Sequence, residues 1–287
     1  MKQLTFKEFF QTFPDDETCL DHLMKVRYGF EHTCRKCERA SKFSRVSSQR
    51  AYACQFCGDH VYPCVGTPFE ASRTSLQTWF YAIYLFTTSR HGVSAKELQR
   101  QLGVTYKCAW RMGHEIRKHM ADVDGEDGLS GIVEVDETYV GGKREGKRGR
   151  GADGKTVVFG MLQRDGKIMT KIVPNARTQT LEPIILANVQ AGTEIQSDEW
   201  SAYRNLNKKG YTHETVQHGA GEYARDGVHV NGLEGYWSML KKGIRSTHIH
   251  VSGEYLKNYA KEFEYRYNNR SMPESMFTDL LTSFPRS

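Results

Sequence analysis

Three acids and four cysteines are the residues whose types and spacing could do chemistry in this chain. Asp136 ends a strand-like stretch, VEVDET, and Asp198 ends another, IQSDEW. Glu234 lies in HVNGLEGYWSMLKKG, residues 229–243, where Leu233, Trp237 and Leu240 make an apolar helical stripe. Convergent carboxylates are hard oxygen donors suited to Mg²⁺ or Mn²⁺. Two such ions clamp the attacking and leaving oxygens of a phosphoryl transfer. Convergence requires that the two strands be neighbours and that a helix cross the same sheet edge.

Each acid has an ordinary reading as well. Strand-end carboxylates commonly face solvent or cap the next helix, as Asp198 could for EWSAYRNL. Glu134 and Glu137 compete with Asp136, and Glu134 shares its strand face. Lys241 follows Glu234 by seven residues, which is nearly the same helix face about 10.5 Å along. It could equally be a solvated lysine. Spacing alone leaves these alternatives open.

The cysteines are more specific. Cys34, Cys37, Cys54 and Cys57 form two Cys-x-x-Cys knuckles, CRKC and CQFC. Four thiolates so arranged suit a tetrahedral structural Zn²⁺. KFSRVSSQRAYA between them is strand-like, so the unit reads as a zinc ribbon. Seven cysteines, an odd number, argue against a disulfide framework. Cys19, Cys64 and Cys108 read as small core residues.

The elements around these residues follow from periodicity and caps. Residues 15–28 predict a short amphipathic helix, with Asp15 or Asp16 at its start and Gly29 after its end. Residues 74–119 read as helical throughout. Ser94 with Glu97 predicts a capping box, LGV at 102–104 a tight turn, and Thr105 the cap of a helix to about Met120. That is the helix-turn-helix pattern, offering Tyr106, Lys107, Arg111 and His114 to a DNA groove; an ordinary helical hairpin is the alternative. After an acidic, glycine-rich linker at 121–131 come a strand through Asp136 and a hairpin over 156–176 turning at Asp165–Gly166. A helix capped by Thr178 follows. Then come a strand passing into a helix at Asp198, a strand at THETVQH, the helix of Glu234, and a long aromatic-rich helix. The order predicts an α/β domain with a mixed sheet and flanking helices.

Net charge is +6, and GGKREGKRGRGADGK at 141–155 is rich in Lys, Arg and Gly. Lys143, Arg144, Lys147 and Arg148 there are candidates for DNA-backbone contact, although a solvated loop has the same composition. No apolar run reaches eighteen residues, and the N-terminus lacks the apolar core of a signal peptide. A cytoplasmic location is expected.

Five stretches spread over about residues 31–270 carry a resemblance: GTPFEASRTSLQTWFYAIYLF, VSAKELQRQLGVTYKCAWRM, VEVDETYVGG, SDEWSAY and VHVNGLEGYWSMLKKGI. The chain resembles bacterial insertion-sequence transposases with an N-terminal zinc ribbon and a DDE catalytic domain of the RNase H-like fold. The resemblance implies an acid on the first strand and another at the end of the fourth. The third lies on a helix after the fifth strand, with a lysine seven residues on; Asp136, Asp198, Glu234 and Lys241 fill these positions. Some relatives place asparagine third; Asn231 here is left with an assisting role. The implied domains are an N-terminal helix at 1–30, a zinc ribbon at 31–72, a helix-turn-helix region at 73–122 and a catalytic domain at 130–287. That catalytic domain would hold a mixed five-stranded sheet.

The activity implied is Mg²⁺- or Mn²⁺-dependent phosphodiester hydrolysis and strand transfer. Ribbon and helix-turn-helix would bind the terminal inverted repeats, Lys241 would reach a DNA phosphate, and a homodimer or larger form would join ends to target DNA. The competing expectations are a catalytically silent DNA-binding regulator derived from a transposase and another RNase H-like nuclease.

Overall fold

A computed structural model describes residues 4–125, 128–141, 155–217, 224–225 and 227–284. Lys143, Arg144, Lys147 and Arg148 lie outside the described residues. The chain divides into two compact units, one of residues 1–123 with 272–287 and one of 124–271.

The first unit opens with α1 (Phe6–Thr12). It has a full capping box, Thr5 with Glu8. In α2 (Asp16–Arg27) the Asp15 side chain accepts from Thr18 N–H at 2.8 Å. Gly29, at φ +75, closes its end by donating to the Met24 carbonyl. β1 (Glu31–Thr33), β2 (Ala40–Val46), β3 (Ala51–Cys54) and β4 (His60–Val61) form an antiparallel sheet in that order.

α3 (Leu76–Thr88) is apolar on most sides and buries Trp79, Phe80, Ile83 and Phe86. α4 (Ala95–Leu102) and α5 (Tyr106–Asp124) are joined by a short turn with Gly103 left-handed at φ +65. Ser94 caps α4 by accepting from Glu97 N–H. The Glu97 carboxylate turns instead to Arg100 and Gln101, so the box is half formed. α9 (Met276–Thr282) belongs to this unit, where Phe277 meets Phe9 and Phe13. Residues 272–287, read from sequence with the α/β domain, thus group with the N-terminal unit.

The second unit is a mixed sheet of β5 (Ile132–Val140), β6 (Thr156–Gln163), β7 (Ile168–Val173), β8 (Glu194–Asp198) and β9 (Thr212–Val216). Its spatial order is β7-β6-β5-β8-β9. The first three strands are an antiparallel meander, while β5–β8 and β8–β9 pair in parallel. The expected five-stranded mixed sheet is therefore present. β6, TVVFGMLQ, is buried on both faces and reads as a nearly continuous apolar run.

Two cores lie on opposite faces, as the two-residue strand period requires. Val133, Val135, Phe159 and Met161 face one core, with Leu181 and Ile185 of α6 (Thr178–Asn188). Val158 and Leu162 face the other, with Leu233, Tyr236, Trp237 and Leu240 of α7 (Asn231–Gly243) and Phe263 of α8 (Leu256–Asn268).

Two local expectations change. Thr178 is the first residue of α6, and Arg177 precedes it without a side-chain cap bond. After Asp198 the chain makes two short 3-10 turns, Ser201–Tyr203 and Leu206–Lys209, in place of a helix. Ala202, Tyr203 and Leu206 of these turns are buried in the core. Among the described residues no helix is long and apolar enough to cross a membrane.

Candidate active site and cysteine cluster

The parallel register of β5 and β8 pairs Ile132 with Glu194 and Glu134 with Gln196. Two residues further along are Asp136, which lies in mid-β5 rather than at the strand end expected from sequence, and Asp198, the last residue of β8; the Asp198 charge acts on Asp136. Asp136 is half-buried. Its carboxyl is pushed up to about 7 by burial, and then by the negative charges of Glu137 and Asp198. Asp198 Oδ1 accepts from the Trp200 N–H at 2.9 Å, an Asx turn that fixes its side chain at the strand end.

The three acids of β5 have different surroundings. Glu137 points to the α6 face, where Tyr203 donates to its Oε2 at 2.7 Å. Glu134 is 1% exposed and holds the start of α7: its Oε2 accepts from Leu233 N–H at 3.0 Å. Its other oxygen meets Arg164 Nη2 at 3.2 Å. Arg164 also donates to Gln196 Oε1 at 2.7 Å, and that oxygen takes the His229 N–H at 2.9 Å. A buried network thus ties β5, β8 and the entry to α7 together. Gly232 permits the approach, because a Cβ there would sit 2.8 Å from Glu134 Oε2.

Asp136, in contrast, receives the middle of α7. Trp237 Nε1 donates to Asp136 Oδ2 at 2.9 Å. The indole lies across Gly160, the cross-strand partner of Asp136, where a Cβ would come within 2.6 Å of the ring. Leu233 to Trp237 advances ~6 Å along a helix and Glu134 to Asp136 ~6.8 Å along a strand. The two anchor points are therefore matched, and α7 runs alongside β5. Glu234 is exposed on this helix, one turn before Trp237. Lys241, half-buried, is one turn beyond it. Burial lowers the Lys241 pKa and the Asp136 charge raises it, so the two side chains are electrostatic neighbours. Lys242 is exposed.

Among the described residues, the four cysteines are the one group of three or more His, Cys, Asp or Glu with ligand atoms all within 4.8 Å. The Cys34–Cys57 and Cys37–Cys54 sulfurs are 3.6 and 3.8 Å apart. Ser41 Oγ and the Phe56 N–H lie on Cys54 Sγ at 3.1 and 3.4 Å, where hydrogen bonds would stabilise a thiolate and orient it toward a metal. The set fits Zn²⁺ in number, softness and spacing. The three acids do not converge to that distance.

Both regions match known protein families. Residues 128–268 match the ISXO2-like transposase domain, and residues 14–60 match the transposase zinc-ribbon domain. Over 277 residues the chain is 30% identical to an uncharacterized protein in transposable element ISH50 of Halobacterium salinarum, covering 89% of this chain and 92% of that protein. The chain belongs to the ISXO2-like transposase family. It is also 28% identical over 103 residues to an uncharacterized transposase-like protein of Haemophilus influenzae, covering 36% of this chain and 82% of that protein.

The α4–α5 hairpin of this ISXO2-like transposase sorts its own candidates. Tyr106 is 46% exposed, with Lys96 Nζ 4.9 Å from its ring centre. Lys107 is exposed, and Arg111 is half-buried over Trp79. His114 is 4% exposed and packs on Trp110. It faces the core of the hairpin, which removes it from the groove-facing set. The transposase sequence gave no direct sign of Trp237 as a partner of Asp136, nor of Glu134 as the anchor of α7. Gly160 and Gly232 were the available signals, since each marks a point where a helix presses onto the sheet.

Proposed function

We propose that the chain is a DNA transposase that hydrolyses phosphodiester bonds at the ends of its element and joins the freed 3′-hydroxyls to target DNA. One observation carries this reading. Parallel pairing sets Asp136 beside Asp198, and the helix tied to Asp136 through Trp237 bears Glu234 and, seven residues on, Lys241.

The donor set fits a hard divalent cation. Repulsion among Asp136, Glu137 and Asp198 helps hold the Asp136 carboxyl up at about 7, which an ion shared between Asp136 and Asp198 would relieve. Asp136, Asp198 and Glu234 would hold Mg²⁺ or Mn²⁺. When bound, the metal would supply charge stabilisation for in-line displacement at phosphorus and lower the pKa of a bound water.

The residues of the chain do the rest. The Trp237 indole N–H orients Asp136 and favours its ionised form. Trp200 N–H orients Asp198. The Leu233–Trp237–Leu240 stripe fixes α7 on the sheet, so Glu234 and Lys241 keep their spacing. Lys241 takes a DNA phosphate beyond the one attacked. The ribbon, with Tyr106, Lys107 and Arg111, binds the terminal inverted repeats, and Lys143, Arg144, Lys147 and Arg148 add backbone charge. Two copies act together, since two ends are joined.

The test is incubation of the purified chain with Mg²⁺ and duplexes carrying the inverted repeats that flank its coding sequence. Nicked and joined products are expected, and both should form about a thousandfold more slowly with Asp198→Ala. Binding without nicking by the wild type would sink the catalytic reading and leave a DNA-binding regulator.

A further inference from the structure

α7 runs directly into a π-turn, Ile244–His248, and the chain then reverses at Ile249. Ile249 has φ 64 and ψ −55, and the His250 N–H donates to the His248 carbonyl at 2.6 Å. This is the γ-turn of positive φ, the rarer and more strained form. A β-branched residue at positive φ is an outlier wherever it occurs. Such a conformation persists only where its surroundings impose it, and it clusters at working sites.

The surroundings here do impose it. Ile244 and Val251, on either side, are 6% and 7% exposed within one core. The His248 ring packs edge-on against Tyr259 at 4.7 Å. Ile249 itself is 84% exposed, the most exposed large apolar side chain among the described residues. The fold thus spends strain to hold an isoleucine out in water.

What lies beside it is a cavity of about 650 Å³. Lys155, Lys241, Arg245 and His250 line it together with Ile249, and no carboxylate does among the described residues. Lys241 lies on α7 one turn beyond Trp237, whose indole N–H donates to Asp136. A basic cleft with one projecting apolar tip matches a nucleic-acid strand, whose phosphates need cations and whose base stack admits an apolar wedge.

We propose that this cleft receives the DNA strand adjoining the scissile phosphate, and that Ile249 enters the base stack there and parts the terminal step of the duplex. Lys155, Arg245 and Lys241 hold the phosphates while the separated strand lies toward Asp136 and Asp198. The inference rests on the transposase reading above.

The test uses the full chain, Mg²⁺ and end duplexes with 2-aminopurine at the base pair next to the cut. Wild type should raise the fluorescence on binding. Ile249→Gly should bind the duplex but leave the fluorescence low. Its cleavage of the paired end should fall by about tenfold or more, the order set by the cost of unstacking one step. A duplex mispaired at that step should restore Ile249→Gly cleavage to the wild-type level, which loss of a merely structural residue would not allow. Ile249→Gly should also melt at a higher temperature, because glycine accepts positive φ. Ile249→Leu should keep the fluorescence rise.

Wild-type cleavage with no fluorescence change, or a mispaired duplex that fails to rescue Ile249→Gly, would overturn the wedge and leave the transposase reading standing. Wild type that neither binds nor cuts end DNA would overturn both.

Discussion

The four cysteines lie within residues 34–57, on knuckles beside one small antiparallel sheet, whereas the three acids are spread over residues 136–234. The sulfurs already stand within 4.8 Å of one another. The acids are brought toward one edge by a parallel strand pair and by a helix pinned through Glu134 and Trp237. Four sulfurs this close suit a bound metal, whose binding is expected to contribute to the ribbon's folding free energy. At the acids the relation is reversed: two apolar cores hold the sheet and helix, and the carboxylates are kept close against their own repulsion.

That contrast can be broken by removing one ligand from each set. Cys34→Ser should lose the zinc and the hydrogen-exchange protection of β1 to β4, while β5 to β9 stay protected. Asp198→Ala should keep protection everywhere, yet cleave end DNA about a thousandfold more slowly, the loss of several kcal/mol of charge stabilisation. Metal analysis, exchange by mass spectrometry and single-turnover cleavage read the three quantities. A globally unfolded Asp198→Ala, or a Cys34→Ser protein with an intact ribbon, would erase the distinction.

A smaller effect sharpens it. The Asp136 carboxyl titrates at about 7 through burial and the charges of Glu137 and Asp198, above the ~3.9 of an unfolded chain. With a raised folded pKa, the stability this group contributes is complete below about 4 and is lost as pH rises through about 7. In metal-free protein, the melting temperature of wild type relative to Asp136→Asn should therefore fall between pH 4 and 7 and then level off. Trp237→Phe removes a donor that favours the ionised form, so the fall should extend to higher pH. A difference that stays flat with pH would mean that the acids are not held against repulsion.

These expectations also mark what was legible in advance. The ribbon was readable because its ligands are local in sequence and its chemistry is unambiguous. The mixed sheet followed from strand periodicity; Asp136 and Asp198 were singled out as strand ends, but β5 runs on to Val140, so Asp198 alone ends its strand. Glu134 was visible only as a competitor on the same face. Its task depends on the β5–β8 register and on Gly232, neither of which a local pattern encodes. The segment after Asp198 read as a helix but forms two short 3-10 turns whose Ala202, Tyr203 and Leu206 are buried in the core. His114 fitted a recognition helix by position but falls on the buried side.

The smallest expected effect concerns the end of α7. Lys241→Ala should lower the salt slope of log affinity for end DNA by about one unit. Lys242→Ala, exposed and rotated by about 100°, should leave it unchanged. Equal slopes in a salt titration would make Lys241 generic surface charge.

The most direct measurement of the central claim is localised cleavage of the protein backbone by Fe²⁺ and peroxide, with Fe²⁺ replacing the catalytic cation. The account predicts cuts near residues 136, 198 and 234, suppressed by excess Mg²⁺ and absent in Asp136→Asn. Cuts at 136 and 198 without any near 234, or cuts that Mg²⁺ does not suppress, would contradict the assignment of these three acids to one metal site.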